Sequence, residues 1–414
     1  MKHLYKTTFI LVASALFAQA ADFRTWTSRK GSSIEAQLLQ YKEGSVKLVT
    51  KEPKEMVWKV TDLSLADRQY LIEYADADSD VILKGDPSIP ELAYRKPKSF
   101  LKKLDKKLTI GESSTLVFDL YETAHFVFAV GKGVRVTGIS ETAEACWHGM
   151  TFQHFEFREN WGTTRQLILI PGDESIYTEL GKFEVAALEK VGKVDRAANV
   201  RLTWSKAGAT SMGIPSEHTE EFNLKERANV FNVYDTKKFR RKFDSFQTHV
   251  ICGRLFGVQV GGVSSISGSG YFALTTGHAY YKEIQLTKKT ETNMISANYG
   301  GDVATKSGFA DGSDWPKILK KMVKKGKVKP NLVMILAIKG SSDLTPESLV
   351  TMYSLSCYMQ SSQKRISSYA KLVRFINTSD QIPDTTELVK IFGFETIIDF
   401  EKSWIEFVTS KDFK

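Results

Sequence analysis

The sequence is poor in the residues from which cross-linked and metal-clustered proteins are built. Its 414 residues include three cysteines, Cys146, Cys252 and Cys357, far apart and never arranged as Cys-x-x-Cys. An odd number without a pairing motif excludes a disulfide scaffold and a cysteine-rich zinc site. Histidine is also scarce: there are seven, and none is followed by glutamate. The His-Glu-x-x-His helix of zinc hydrolases, two imidazoles one turn apart with a glutamate base beside them, is therefore missing. Ten prolines and 28 glycines are too few for a collagen-like or low-complexity chain. Past the N-terminus no stretch approaches the roughly 18 uninterrupted apolar residues of a membrane-spanning helix.

What is present describes a globular protein. Hydrophobic residues make up 42% and charged residues 25%, and the length suits two or three domains. The formal charge of +9 is basic but below that of a dedicated nucleic-acid binder, so nucleic acid is not an expected partner. The start has its own character. Lys2 and Lys6 precede an apolar run, Phe9 to Phe17, and then Ala18-Gln19-Ala20. That order is a secretory signal peptide with cleavage expected after Ala20, which implies a secreted or periplasmic protein. Without residues 1–20, which hold two lysines and no acid, the charge falls to +7.

Residues 21–75 read as a small unit of short strands. Ile34, Ala36 and Leu38 alternate with Glu35 and Gln37, the period of a half-buried strand. Arg29-Lys30-Gly31 and Lys42-Glu43-Gly44 are hairpin connections, and Val57 with Trp58 marks a further strand. Ser64-Leu-Ala-Asp67 opens a short helix with an N-cap and an acid three positions on, ending near Tyr74. From Arg24-Thr-Trp26-Thr-Ser, Gly31, Ile34-Glu-Ala36, Gly44-Ser-Val46-Lys-Leu48 and Leu63-Ser64-Leu-Ala-Asp67-Arg-Gln-Tyr70-Leu71, the segment resembles the first homology domain of the endocytic adaptor Sla. The resemblance implies a small barrel of the Src-homology-3 type and a module that binds short peptides, Asn-Pro-Phe-x-Asp in the adaptor. Glu52-Pro53-Lys54 stands where the family has a glycine, and the hairpin is expected to survive it. Arg24, Trp26, Lys47 and Trp58 are the candidate peptide-binding residues, with Trp26 and Trp58 expected to fill the barrel and the two cations to be solvated.

Residues 76–110 read as a connector: Asp76, Asp78, Asp80, three prolines, a short helix around Phe100 to Leu104, and a basic cluster at Lys102, Lys103, Lys106 and Lys107. Residues 111–414 form the larger α+β domain, with strands early and a helical C-terminal third. Strands are expected at Leu116–Leu120, His125–Val130 and Gln166–Ile170, a helix capped by Ser140 running to about Phe157, mixed strand and loop over Asn199–Ser267, and a hairpin or edge strand over Tyr271–Leu286. Helices then open at Pro316, Thr345-Pro346 and Asp384, a further one is lined by Ile366, Tyr369, Ala370, Val373 and Ile376, and the last by Ile397, Phe400, Trp404, Phe407 and Val408.

The order Tyr353-Ser-Leu-Ser-Cys-Tyr-Met, Lys371-Leu-Val-Arg-Phe, Leu388-Val-Lys-Ile-Phe-Gly393-Phe and Phe400-Glu-Lys-Ser-Trp404-Ile-Glu-Phe resembles the tail of gluzincin-type metallopeptidase-like proteins. The resemblance implies an upstream zinc-holding helix between the Tyr271 strand and Trp315, where this chain has Thr290-Glu-Thr-Asn-Met-Ile. His148 and His154 are six apart, about 240° around a helix, and His278 and Glu283 five apart, about 140°; neither pair converges on one ion. No Gly-x-Ser-x-Gly elbow and no phosphate-binding loop is present. No catalytic, metal or cofactor residue is assigned. The expectation is an exported non-catalytic binding protein, a barrel module attached to a pseudo-peptidase-like domain. The alternative is a zinc-dependent hydrolase whose ligands come from separate segments, with His125, His148, His154 and His278 as the pool. Lys317, Lys320, Lys321, Lys324, Lys325, Lys327 and Lys329 lie on or just after one helix, and an anionic envelope surface is the candidate partner for them.

Overall fold

The computed structural model describes residues 22–28, 31–42, 44–74, 101–111, 116–153, 164–260, 266–292, 295–296, 301–302 and 314–414. The expected leader, residues 1–20, the connector over 76–100 and His154 lie outside the described residues. The chain divides into two compact units, Met1–Ile82 and Leu83–Lys414.

In the first unit four strands follow one another as an antiparallel sheet: β1 (Arg24–Thr27), β2 (Ser33–Lys42), β3 (Ser45–Thr50) and β4 (Glu55–Lys59). The alternation read along β2 is clearest at its centre, where Ala36 is buried between the exposed Glu35 and the half-buried Gln37. The hairpin through Glu52-Pro53-Lys54 is retained, with Val49 paired to Glu55 and the Thr50 N–H donating to the Lys54 carbonyl at 3.1 Å. Trp26 is fully buried, and its indole N–H donates to the Ala36 carbonyl at 3.1 Å, so the ring fills the core without an unpaired donor. A single 3-10 turn, Val60–Asp62, leads into α1 (Leu65–Tyr74), and Ser64 caps this helix through its hydroxyl to the Asp67 N–H.

The second unit is built on a six-stranded mixed sheet. Its strands are β5 (Lys102–Ile110), β6 (Leu116–Glu122), β7 (Phe126–Val130), β8 (Gln166–Ile170), β9 (Ala209–Gly213) and β10 (Arg227–Phe231), in the order β5-β6-β7-β8-β10-β9. β7, β8 and β10 run parallel and are buried almost throughout; the outer pairings are antiparallel. Residues 102–110, expected to lie in a connector with a short helix, are instead the edge strand β5. Leu108 and Ile110 alternate into the core, and Lys102, Lys103 and Lys107 meet Glu122 and Asp119 of β6 at 3.5 to 3.7 Å. The acids across the strand neutralise what looks in sequence like a solvated basic run.

Helices cover both faces of this sheet. On one face lie α2 (Thr137–Gln153) and, later in the chain, α6 (Ser245–Gln259), which bury Ile139, Ala143, Cys146, Met150, Ile251, Cys252 and Leu255 against Phe126, Phe128, Ile168 and Phe231. Ser140 does not cap α2; it sits inside the first turn and its hydroxyl donates to the Thr137 carbonyl. On the other face α3 (Glu174–Lys190) packs Tyr177 and Leu180 on Val127, Leu169 and Val230, while α4 (Val194–Thr203) lies on α3 and α5 (Ser216–Phe222) precedes β10.

The remaining helices form a layer of their own with a separate core. They are α7 (Tyr271–Thr287), α8 (Trp315–Lys324), α9 (Leu332–Leu336), α10 (Pro346–Met359), α11 (Gln363–Ser379), α12 (Thr385–Ile391) and α13 (Ile397–Thr409). The expected caps hold: Thr345 and Ser348 make a reciprocal capping box on α10, and Asp384 accepts the Glu387 N–H. Two expectations fail. Tyr271–Leu286 is not a hairpin but the helix α7, and the stretch expected to mix strand and loop ends in α6. Both helices are buried nearly all round, so they present neither the one-sided stripe of a surface helix nor a period of two. α7 crosses α10 closely enough that a Cβ on Gly277 would lie 2.4 Å from the Met352 carbonyl oxygen.

Candidate functional site

The four candidate residues of the first unit have different fates. The Arg24 guanidinium reaches the buried Asp67 carboxylate at 3.1 Å and lies over the Tyr70 and Trp26 rings, 3.8 and 4.7 Å from their centres. Asp67 also accepts the Thr27 N–H at 2.8 Å and the Ser64 hydroxyl at 2.7 Å. Arg24 thus locks β1 to the start of α1 and is not the solvated strand cation expected from the sequence. Trp26 is a core residue, whereas Trp58 is only half-buried and stands opposite Val46. Lys47 is half-exposed and pairs across the strands with Glu55 at 2.7 Å. Val57, 66% exposed, stands directly opposite Lys47 on the outer face of the sheet, while Trp58 points to the inner side with Val46, so the outer face carrying Val57 and Lys47 is what remains for a partner.

The histidines of the second unit whose side chains are described stand in separate places, each with its own partner. His125, at the head of β7, shares Glu144 of α2: its ring Nδ1 lies 2.7 Å from one carboxylate oxygen, its backbone N–H donates to the other at 2.9 Å, and Trp147 stacks on the ring. Burial alone would raise the Glu144 carboxyl, but the hydrogen bonds and charge of His125 outweigh it and hold the group below the usual carboxylate range. His278 of α7 is fully buried, with Nδ1 3.1 Å from the Tyr369 hydroxyl and the two rings parallel. His148 lies in α2, and neither its side chain nor His154 is among the described positions. Among the described residues, no group of three or more His, Cys, Asp and Glu comes together as a metal cage.

A constellation that the sequence reading missed joins α6 and α7. The fully buried Glu283 carboxylate lies 3.0 Å from His249 Nδ1 and accepts the Ser245 and Thr292 hydroxyls and the Glu291 N–H. Ser245 and His249 are four apart, one turn of α6, so their shared face was legible once that stretch is read as helix. The group is not a nucleophile relay, which needs the serine on the imidazole; here serine and imidazole both turn to the acid. Nearby, Lys282 is 1% exposed beside the Cys146 and Cys252 thiols. Burial pushes its ammonium down to about 7. The hydrogen bond with Cys252, then burial, pushes the Cys146 thiol well up.

An accessible hollow lies elsewhere, between α7, the start of α8, α10 and the segment after α13. It encloses about 550 Å³, within the size range of small-molecule sites. Tyr281, Tyr353, Phe407 and Phe413 supply its rings, and Gln285, Gln360, Cys357 and Ser361 its polar groups. Gln360 is 2% exposed; its amide N–H reaches the Ser356 carbonyl, while its Oε1, like that of Gln285, is buried without a partner. Burial pushes the Cys357 thiol up to about 12, so it is a neutral wall group. Lys288, Lys414 and Asp412 are exposed at the rim.

No protein-family model, curated protein or solved structure matches this chain. Among the described residues no helix is long and apolar enough to cross a membrane.

Proposed function

We propose that this is an exported binding protein without a catalytic role, composed of a small barrel module of the Sla homology type that docks a protein or peptide, and a larger peptidase-like unit that has given up its metal helix. The observation that carries this reading is the dispersal of the imidazoles among the described residues. His125 with Glu144, His249 with Glu283 and His278 with Tyr369 are each engaged by a neighbouring element instead of being aimed at one point. α7, the long buried helix preceding Trp315, bears His278 followed by Ala-Tyr-Tyr-Lys, so the glutamate and second imidazole of a zinc helix have no counterpart there. The sheet of the first unit and its Ser64–Asp67 cap support the barrel reading, in which Val57 and Lys47, paired across β3 and β4, form the docking face.

An anionic envelope surface is a second partner in this reading. Among the described residues no ion pair joins any of the seven lysines between Lys317 and Lys329 to an acid, although lysines elsewhere, such as Lys103 and Lys182, are paired. Elemental analysis of the purified chain tests the non-catalytic reading. Zinc far below one ion per chain, with no hydrolysis of peptide substrates, is the expected result. Stoichiometric zinc that is lost in His278→Ala would overturn it.

A further inference from the structure

We propose that the hollow between α7, α10 and the segment after α13 binds an acidic saccharide of one or two rings, a ligand class that rests on the binding role proposed above. Three features of the site converge. The first is shape and surface: about 550 Å³ walled by the rings of Tyr281, Tyr353, Phe407 and Phe413, flat faces of the kind that pack against the C–H side of a sugar ring. The second is the pair of orphaned acceptors. The Gln360 amide is oriented by its N–H bond to the Ser356 carbonyl, which leaves Oε1 as its free end, and Gln285 Oε1 is free as well. Two buried acceptors without donors beside the hollow call for a ligand with O–H or N–H groups. An acyl chain or a plain aromatic would leave both unsatisfied.

The third feature is the sign of the rim. Lys288 and Lys414 stand there, with Asp412 among them. Lys320 lies close by, its ammonium donating to the backbone carbonyl of the wall residue Phe413 at 3.3 Å. A cationic amine would meet repulsion at the mouth, whereas a carboxylate on a hydroxyl-bearing ring satisfies both the wall and the rim.

Calorimetric titration of the full chain with a galacturonate disaccharide, the neutral galactose disaccharide and dodecanoate tests this. The uronate should bind, the neutral sugar about tenfold more weakly or less, and dodecanoate not at all. Gln360→Leu, which removes the buried acceptor, and Lys288→Glu, which reverses an exposed rim charge, should each weaken uronate binding by about tenfold. If Gln360→Leu does not fold, Lys288→Glu decides, because Lys288 is exposed. No uronate binding by the wild-type chain, equal binding of the neutral sugar, preference for dodecanoate, or affinity unchanged in the folded variants overturns the proposal. Zinc content measured on the same sample separates the two readings: a zinc-free chain that ignores the uronate refutes the ligand class alone, and a chain with one zinc refutes the non-catalytic role.

Discussion

Lys282 offers a test of how the core of the larger unit is assembled. The residue is 1% exposed on α7, beside the Cys146 and Cys252 thiols, and burial lowers its ammonium from 10.5 to about 7. Each tenfold loss of proton affinity corresponds to about 1.4 kcal/mol between protonation states, so the charged amine costs the fold about 5 kcal/mol at most. The sign follows from proton counting. Below pH 7 both folded and unfolded chains hold the proton, and the full cost applies. Between about pH 7 and 10.5 the unfolded chain binds more protons than the folded one, so stability rises with pH by about 1.4 kcal/mol per pH unit and then levels off. Lys282→Met keeps most of the stem and removes the charge. In denaturant unfolding the variant should exceed the wild type by up to about 5 kcal/mol near pH 6, an advantage that shrinks by roughly 3 kcal/mol near pH 9. A variant no more stable than the wild type near pH 6, or a difference that does not change with pH, would refute the assignment of Lys282 as a buried, depressed amine.

Two further substitutions probe the other junctions. Asp67→Ala leaves the Arg24 guanidinium buried against Trp26 and Tyr70 without its carboxylate and frees the Thr27 N–H and Ser64 hydroxyl, a loss of about 3–5 kcal/mol. Hydrogen exchange should show residues 22–74 losing protection while the larger unit keeps its own; unchanged protection there would refute the lock. Gly277→Ala drives a methyl into the Met352 carbonyl, 2.4 Å away, and the Ser356 hydroxyl, 2.7 Å away, and must part α7 from α10. A loss of about 1–3 kcal/mol is expected in thermal unfolding, and a neutral result would mean that the two helices tolerate separation.

The helical C-terminal region was readable because its signals are local. Thr345-Pro346, Asp384 and the stripe from Ile366 to Ile376 each act within a turn or two of the chain, and each appears where expected. Trp26 as a core residue and Ser64 as a cap were legible for the same reason. β5 was not, because its lysines are neutralised by acids on a neighbouring strand. α7 was missed on composition: a helix rich in Thr and Tyr, with a glycine in its interior, that is buried on most sides shows neither of the two periods that mark an exposed face.

The site depended still more on partners distant in sequence. Glu283 meets His249 from 34 residues away and Glu144 meets His125 from 19, and no spacing rule announces either pair. The four rings and two free amide oxygens of the hollow come from α7, α10, α13 and the last residues of the chain. Caps, alternation and amphipathic stripes operate between neighbours along the chain, so the sequence alone determined where several helices of the C-terminal third open and where several strands lie, and that no local zinc motif exists. Which charges are neutralised, which acceptors stay free and where a hollow opens are set by contacts across the core, and only the tertiary structure decided them.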